Sequence, residues 1–146
     1  MSASEGDRLP ALTSRVERYL EEIFGGVQRD SDGDFVVGSG SAAVWIRPFA
    51  LDSGRSAVRV WSITNVGVRD DDELTRFIAV ENGRLLFGSL HLAEDRPSVV
   101  LGHTLLGEFL NRKELEVAIA AVGATADHYD DQIKARFGGS TFGEQG

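Results

Sequence analysis

The chain contains no cysteine, and proline and histidine each occur only three times among its 146 residues. Without cysteine there are no disulfides, thiolate zinc sites or cysteine nucleophiles. No hydrophobic run approaches the roughly 18 apolar residues that a membrane-spanning helix needs, and residues 1–10 lack the basic and apolar regions of a signal peptide. We therefore expect a cytoplasmic protein that does not insert into membranes.

Positive charge is also scarce. The formal net charge is -8, and the longest basic cluster is the short stretch "NRKE". Such a surface repels nucleic acid, so we expect no nucleic-acid partner. A hydrophobic content of 42% over this length fits one globular domain with its own core. The composition predicts a single domain over residues 9–140, with flexible tails at residues 1–8 and 141–146.

Hydrophobic spacing and turn signals divide the domain into helices and strands. A helical stripe runs from Leu12 to Phe24 before two glycines, and two further stripes follow the acidic residues 70–73 and Asn111. Between them, alternating segments are separated by turns around residues 32–33, 52–54 and 94–97. The order predicts an α+β domain in which an antiparallel sheet of about five strands is flanked by three helices.

The hairpin around Asp52, Ser53 and Gly54 is the most informative stretch. Pairing Leu51 with Arg55 sets the register of its two strands. One face then carries three opposed pairs together with Ile63, namely Trp45 with Trp61, Arg47 with Arg59, and Phe49 with Ala57. The other face is almost entirely aliphatic and is predicted to meet the helices.

Two interpretations of the tryptophan pair remain open. A helix could cross that face and bury both rings in the core, as is usual for large aromatic residues. Alternatively, the face could bind another protein, because tryptophan, phenylalanine and arginine are enriched at interfaces. Opposed arginines repel each other, so Arg47 and Arg59 should have acidic or carbonyl partners from elsewhere.

A second hairpin is predicted between residues 84 and 106. Pairing Glu94 with Pro97 places Leu86 on the face that meets the helices and Phe87 on the tryptophan side. The same register puts His91 and His103 on opposite faces, which prevents them from sharing a metal ion.

Catalytic and metal-binding patterns are weak. Asp30, Asp32 and Asp34 superficially resemble the start of a calcium loop, but a hairpin turn explains their spacing better. The acidic residues around His128 fit a solvated helix face. No nucleophile, base and orienting group can be assembled, so we expect no enzymatic activity, no metal and no cofactor.

Several stretches resemble a known family. "FGSLHL", "LLGEFLNRKEL" and especially "ADHYDDQIKARFGG" are similar to the YbjN-type, type III secretion chaperone-like proteins common in actinobacteria, which share the CesT chaperone fold. "DSDGDFVV", "VWIRPF" and "DDDELTRFI" fit the same template, so the resemblance spans roughly residues 10–140. It implies an α-β-β-β-α-β-β-α domain, often dimeric, that binds segments of other proteins.

The sequence therefore predicts a non-enzymatic chaperone-like module that binds a protein or peptide client and forms a homodimer. The predicted partner-binding residues are Trp45, Arg47, Phe49, Arg59, Trp61, Ile63 and Phe87. Two alternatives stay open: an accessory subunit permanently buried in a larger complex, and a small-ligand-binding or enzymatic domain whose pocket is unrecognised.

Overall fold

The computed structural model describes residues 5–94 and 96–145. In this part of the chain the helices are α1 (Glu5–Phe24), α2 (Asp72–Asn82) and α3 (Arg112–Phe137), followed by a 3-10 helix, Phe142–Gln145. The strands are β1 (Gln28–Arg29), β2 (Phe35–Ser39), β3 (Ala42–Ala50), β4 (Ser56–Val66), β5 (Ser89–Ala93), β6 (Ser98–Leu106) and β7 (Ser140–Thr141). The predicted α+β class and three α-helices are confirmed. The described strands number seven rather than about five, because β1 and β7 are two-residue pieces.

All strands pair antiparallel in one sheet of order β1-β2-β3-β4-β6-β5, and β7 pairs with the end of β4. The helices supply the other half of the core. Val44, Ile46, Val58 and Val60 are fully buried in the cluster that also contains Leu20 of α1, Leu74 of α2 and Ile119 of α3. The aliphatic face of the hairpin thus meets the helices, as its alternation predicts. No helix in the described residues is long and apolar enough to cross a membrane.

Both predicted hairpin registers are confirmed. In β3 and β4, Trp45 lies opposite Trp61 and Arg47 opposite Arg59. The Leu51 amide donates to the Arg55 carbonyl at 2.7 Å, and Gly54 adopts a φ of +82°, so the turn closes without shifting the register. In β5 and β6, Leu90 lies opposite Leu101, which is the register that pairing Glu94 with Pro97 predicts.

The start of β5 differs from the prediction. The strand begins at Ser89, because Gly88 has a φ of +80° and breaks the alternation before it. Leu86 was predicted to face the helices, but its side chain is 92% exposed. The two-residue alternation of side chains does not apply here, because residues 85–88 form no strand and the chain bends at residues 86–87.

Regular structure extends into both predicted tails. Residues 1–4 lie outside the described residues, but α1 begins at Glu5, and the Arg8 guanidinium donates to the Gly54 carbonyl at 2.8 Å. At the other end, β7 and the 3-10 helix occupy residues 140–145. Gly138 and Gly139 both have positive φ, which turns the chain from α3 back onto β4.

The "ADHYDDQIKARFGG" segment holds α3 against the core. Its stripe Ala126, Tyr129, Ile133 and Phe137 is buried, as the helical spacing predicts. Burial and a 2.8 Å hydrogen bond from the Tyr129 hydroxyl to Glu81 raise the pKa of Tyr129 to about 12. The motif therefore has a structural role on the helical side of the sheet.

Candidate functional site

The face of the sheet opposite the helices is the candidate site, and we call it the tryptophan face. Its members, set by the strand registers, are Val36, Trp45, Arg47, Phe49, Arg59, Trp61, Ile63, His91, Val100, Gly102 and Thr104. Within residues 5–94 and 96–145, no α-helix packs on this face, and the element that reaches it is the 3-10 helix at the C-terminal end. The interpretation in which a helix buries the tryptophans is therefore wrong.

The two indole rings form the centre of the face. Trp45 and Trp61 stack at 6.2 Å between ring centroids with an interplanar angle of 15°. Phe142 packs edge-on against Trp45 at 5.1 Å. Both tryptophans nevertheless keep part of their surface exposed to solvent. A partly covered aromatic pair of this kind can bury further apolar area against a ligand. Its side chains are already ordered, so they lose little additional conformational entropy.

Arg47, which lies opposite Arg59, is paired with the acidic residue Asp34. Its Nε and Nη2 donate to the two carboxylate oxygens of Asp34 at 2.6 and 2.7 Å. Asp34 is buried, and its hydrogen bond is the main reason that the pKa of Arg47 is raised above its ordinary value. The guanidinium also lies 5.3 Å from the centre of the Trp61 ring. The bidentate pair fixes Arg47 beside the indole.

Arg59 is held differently. Its Nη1 donates to the Thr104 hydroxyl at 3.0 Å, and no ion pair forms with it among the described residues. The guanidinium lies over Gly102, where a Cβ atom would collide with Nη2. Glycine at this position therefore lets the arginine lie flat along the sheet. The side chain remains partly exposed.

A shallow groove of about 290 Å³ connects these groups, lined by Arg47, Arg59, Trp61, Ile63, His91 and Val100. Burial, and secondly the charge of Arg59, lower the pKa of His91. The groove therefore combines apolar walls with arginine donors, and its histidine is neutral at pH 7. Such a surface can bind a polypeptide through side-chain burial and hydrogen bonding.

Phe87 does not belong to this group, so its predicted place beside the tryptophans is wrong. Its ring meets His103 edge-on at 6.0 Å and lines a separate groove of about 340 Å³ against α3, with Leu105 and Val117. The positive φ of Gly88 carries Phe87 to the helical side. Of the seven predicted partner-binding residues, the structure brings six together and separates this one.

The acidic residues Asp30, Asp32 and Asp34 lie in the turn between β1 and β2. The Asp30 carboxylate accepts hydrogen bonds from the backbone amides of Asp32 and Asp34, each at 3.0 Å. Ligand oxygens of the three aspartates come within 4.8 Å of one another, but both oxygens of Asp34 already accept from Arg47. His91 and His103 face opposite sides of the sheet, as predicted.

Sequence reasoning did not single out several residues of this site, among them Asp34, Phe142 and Gly102. Asp34 could have been found by extending the pairing of β2 with β3, because Phe35 lies opposite Ile46 and the preceding residue then faces Arg47. Phe142 stood in a predicted tail. Gly102 gave no signal, since a glycine in a strand has several possible meanings.

The family can now be assigned. The family model described as "T3SS (YopN, CesT) and YbjN peptide-binding chaperone 1" matches residues 10–145. The chain belongs to this family of peptide-binding chaperones. The resemblance to YbjN and type III secretion chaperones is thus confirmed, and it extends over the sheet, the three helices and the C-terminal segment. No curated protein sequence matches the chain significantly.

Three solved structures share the fold. The ExsC–ExsE complex contains a chain with a TM-score of 0.63 and 20% identity, and the match covers 84% of this chain and 96% of that one. The Yersinia pestis type III secretion chaperone SycH, in complex with a YscM2 fragment, gives a TM-score of 0.57 and 13% identity, and the match covers 80% of this chain and 98% of that one. The HopA1–SchA chaperone–effector complex gives 0.61 and 11%, covering 82% and 92%.

Proposed function

We propose that this protein is a non-catalytic chaperone that binds a segment of a client protein along the tryptophan face. The observation that carries the proposal is the stacked, partly exposed Trp45–Trp61 pair on a sheet face that the described helices leave open. Family membership supports it. Further support comes from structural relatives that were crystallised with a protein or peptide partner, namely ExsE, a YscM2 fragment and HopA1.

Each group on the face has a proposed part in binding. Trp45, Trp61, Phe49 and Ile63 bury apolar side chains of the client, while the two arginines, Arg47 and Arg59, supply hydrogen-bond donors. The client's backbone can also add to the sheet, because β1 pairs only with Phe35 and Val36 and leaves the outer edge of β2 open beyond them. An added strand would lie beside Val37, Gly38 and Ser39, the part of β2 that β1 leaves unpaired.

The absence of catalysis is part of this proposal. The imidazoles of His91 and His103 lie on opposite faces of the sheet, and Asp34 is committed to Arg47. No described nucleophile stands beside a base and an orienting group at the tryptophan face. The two alternatives, a permanently buried accessory subunit and an unrecognised ligand-binding or enzymatic domain, gain no support from the family or from this geometry.

We also propose a homodimer, formed through the groove on the helical side. Leu86 is 92% exposed and Phe87 50% exposed, and Phe87 lines this groove together with exposed Val117. Pairing two copies through this apolar surface would cover it and leave the tryptophan face free. A cytoplasmic location, predicted from the sequence, fits a chaperone of this kind.

One pair of variants tests both parts of the proposal. Phage displaying random peptides are selected on the immobilised protein, and capture is compared for Trp61→Ser and Phe87→Ser. We expect W61S to lose peptide capture while remaining a dimer in sedimentation velocity. F87S should become monomeric and keep capture. Melting curves establish that both variants fold. Capture that survives W61S and disappears in F87S would move the client site to the helical groove.

A further inference from the structure

We propose that the client segment carries a carboxylate side chain beside large apolar residues, and that Arg59 pairs with this carboxylate. The inference rests on the proposed function and names the chemistry of the ligand. The charges on the tryptophan face support it. Asp34, directly before β2, is the carboxylate that faces this surface, and Arg47 already binds both of its oxygens. Among the described residues, Arg59 forms no ion pair, and its hydrogen-bond partner is the Thr104 hydroxyl.

The position of Arg59 favours an incoming acceptor. A guanidinium has five N–H donors, and Thr104 accepts from one of them. None of the nitrogens of Arg59 is a buried atom without a partner, so the free donors are open to solvent and to a ligand. Gly102 beneath the guanidinium and Thr104 beside it hold the group in place before the client arrives. A carboxylate can pair with such a fork through two hydrogen bonds.

The surroundings of Arg59 define the rest of the ligand. Trp61, Ile63 and Val100 line the same groove of about 290 Å³. In an extended peptide, side chains two positions apart point the same way and lie roughly 7 Å from each other. An acidic residue over Arg59 therefore has its neighbours on that side placed over the apolar wall. The preferred segment alternates an acidic residue with aliphatic or aromatic ones.

The charge of the whole protein makes this preference diagnostic. With a formal net charge of -8, long-range attraction favours basic peptides. Selection of acidic peptides would have to come from a local cation that contacts the ligand. The long-range field of the protein thus favours basic peptides, whereas Arg59 in the groove favours acidic ones. An experiment can distinguish the two preferences.

The test uses a random peptide library displayed on phage, selected in parallel on wild type, Arg59→Gln, Trp61→Ser and Arg76→Gln. Arg76 is exposed on α2, so R76Q removes the same charge away from the face. We expect wild type and R76Q to enrich peptides with an acidic residue flanked by large apolar ones. R59Q should enrich apolar peptides without the acid. Replacing glutamate by glutamine in a selected peptide should weaken binding to wild type about tenfold and leave binding to R59Q unchanged.

A second variant keeps the charge and changes its position. In Gly102→Ala the new methyl group displaces the flexible end of Arg59, so the protein stays folded but loses its acid preference. Equal enrichment of neutral or basic peptides by wild type, or an acid preference that persists in both R59Q and G102A, would overturn the inference and leave the proposed function intact. If wild type enriches nothing over W61S, the proposed function fails as well.

Discussion

The two faces of the sheet come from the same strands but differ in what covers them. On the helical face Ile46 and Val60 are fully buried, whereas their neighbours along the strands, Trp45 and Trp61, remain partly exposed. The helical face is largely aliphatic, and three helices cover it. The tryptophan face mixes aromatic rings with arginines, and among the described residues its cover is the short C-terminal segment around Phe142. The helical face therefore stabilises the fold, and the tryptophan face is the surface that we propose for client binding.

Matched truncations of isoleucine should give the largest difference between the faces. Ile46→Ala removes a fully buried side chain and should cost about 2–5 kcal/mol of unfolding free energy. Ile63→Ala removes a partly exposed one and should cost about 1 kcal/mol. Urea denaturation followed by circular dichroism measures both. Equal losses would show that the tryptophan face is as tightly packed as the core.

The Arg47–Asp34 pair should contribute an intermediate amount. Asp34→Ala removes a buried carboxylate that accepts two charge-assisted hydrogen bonds, so we expect a loss of about 1–2 kcal/mol. Arg47 is half-exposed, and solvent screening limits the effect. Denaturation of D34A, Arg47→Ala and the double variant gives the coupling energy. Fully additive losses would mean that the pair does not hold in solution.

Removing the ring of Phe142 should have a smaller effect, confined to the tryptophan face. Phe142→Ala deletes the edge contact with Trp45 and should cost about 1 kcal/mol or less. Quenching of tryptophan fluorescence by acrylamide should increase. Phe109→Ala is the matched control, because Phe109 is 72% exposed and contacts neither indole. Unchanged quenching in F142A would show that the C-terminal segment does not cover Trp45 in solution.

The smallest effect we predict is a shift in two histidine pKa values. Burial, and then the charge of Arg59, lower the pKa of both His91 and His103. Arg59→Gln should therefore raise both values toward 6.5 in an NMR titration, whereas R76Q should leave them unchanged. Because protonation is disfavoured in the folded state, stability should fall as the pH drops below 6.5, and less so in R59Q. Unaltered values in R59Q would place Arg59 away from both rings.

The sequence was sufficient where local signals determine structure. The turns at Gly54 and before Pro97 fixed two registers, and the registers placed six of the seven predicted residues on one face. The hydrophobic stripe of α3 and its Asn111 cap were equally local. A two-residue period then assigns every strand side chain to a face, which explains why so much of the candidate site could be predicted.

The remaining features depend on non-local contacts or on one backbone angle. Phe87 changes side because of the φ of Gly88, which alternation does not reveal. Phe142 reaches Trp45 only because β7 pairs with β4, across more than half of the chain. Asp34 and Arg47 meet through the pairing of β2 with β3. This register could have been read from the sequence, but the registers of β3 with β4 and of β5 with β6 do not depend on it.

Tryptophan quenching, with and without a bound peptide, shows whether the client covers the tryptophan face. Acrylamide quenching and the emission maximum are measured for the free protein and for its complex with a peptide from the library selection. We expect the tryptophans of the free protein to be accessible to acrylamide and their emission to be red-shifted. In the complex the emission should shift to the blue and the tryptophans should be protected from quenching. Tryptophans that are protected in the free monomer, or that are unaffected when the peptide binds, would contradict it.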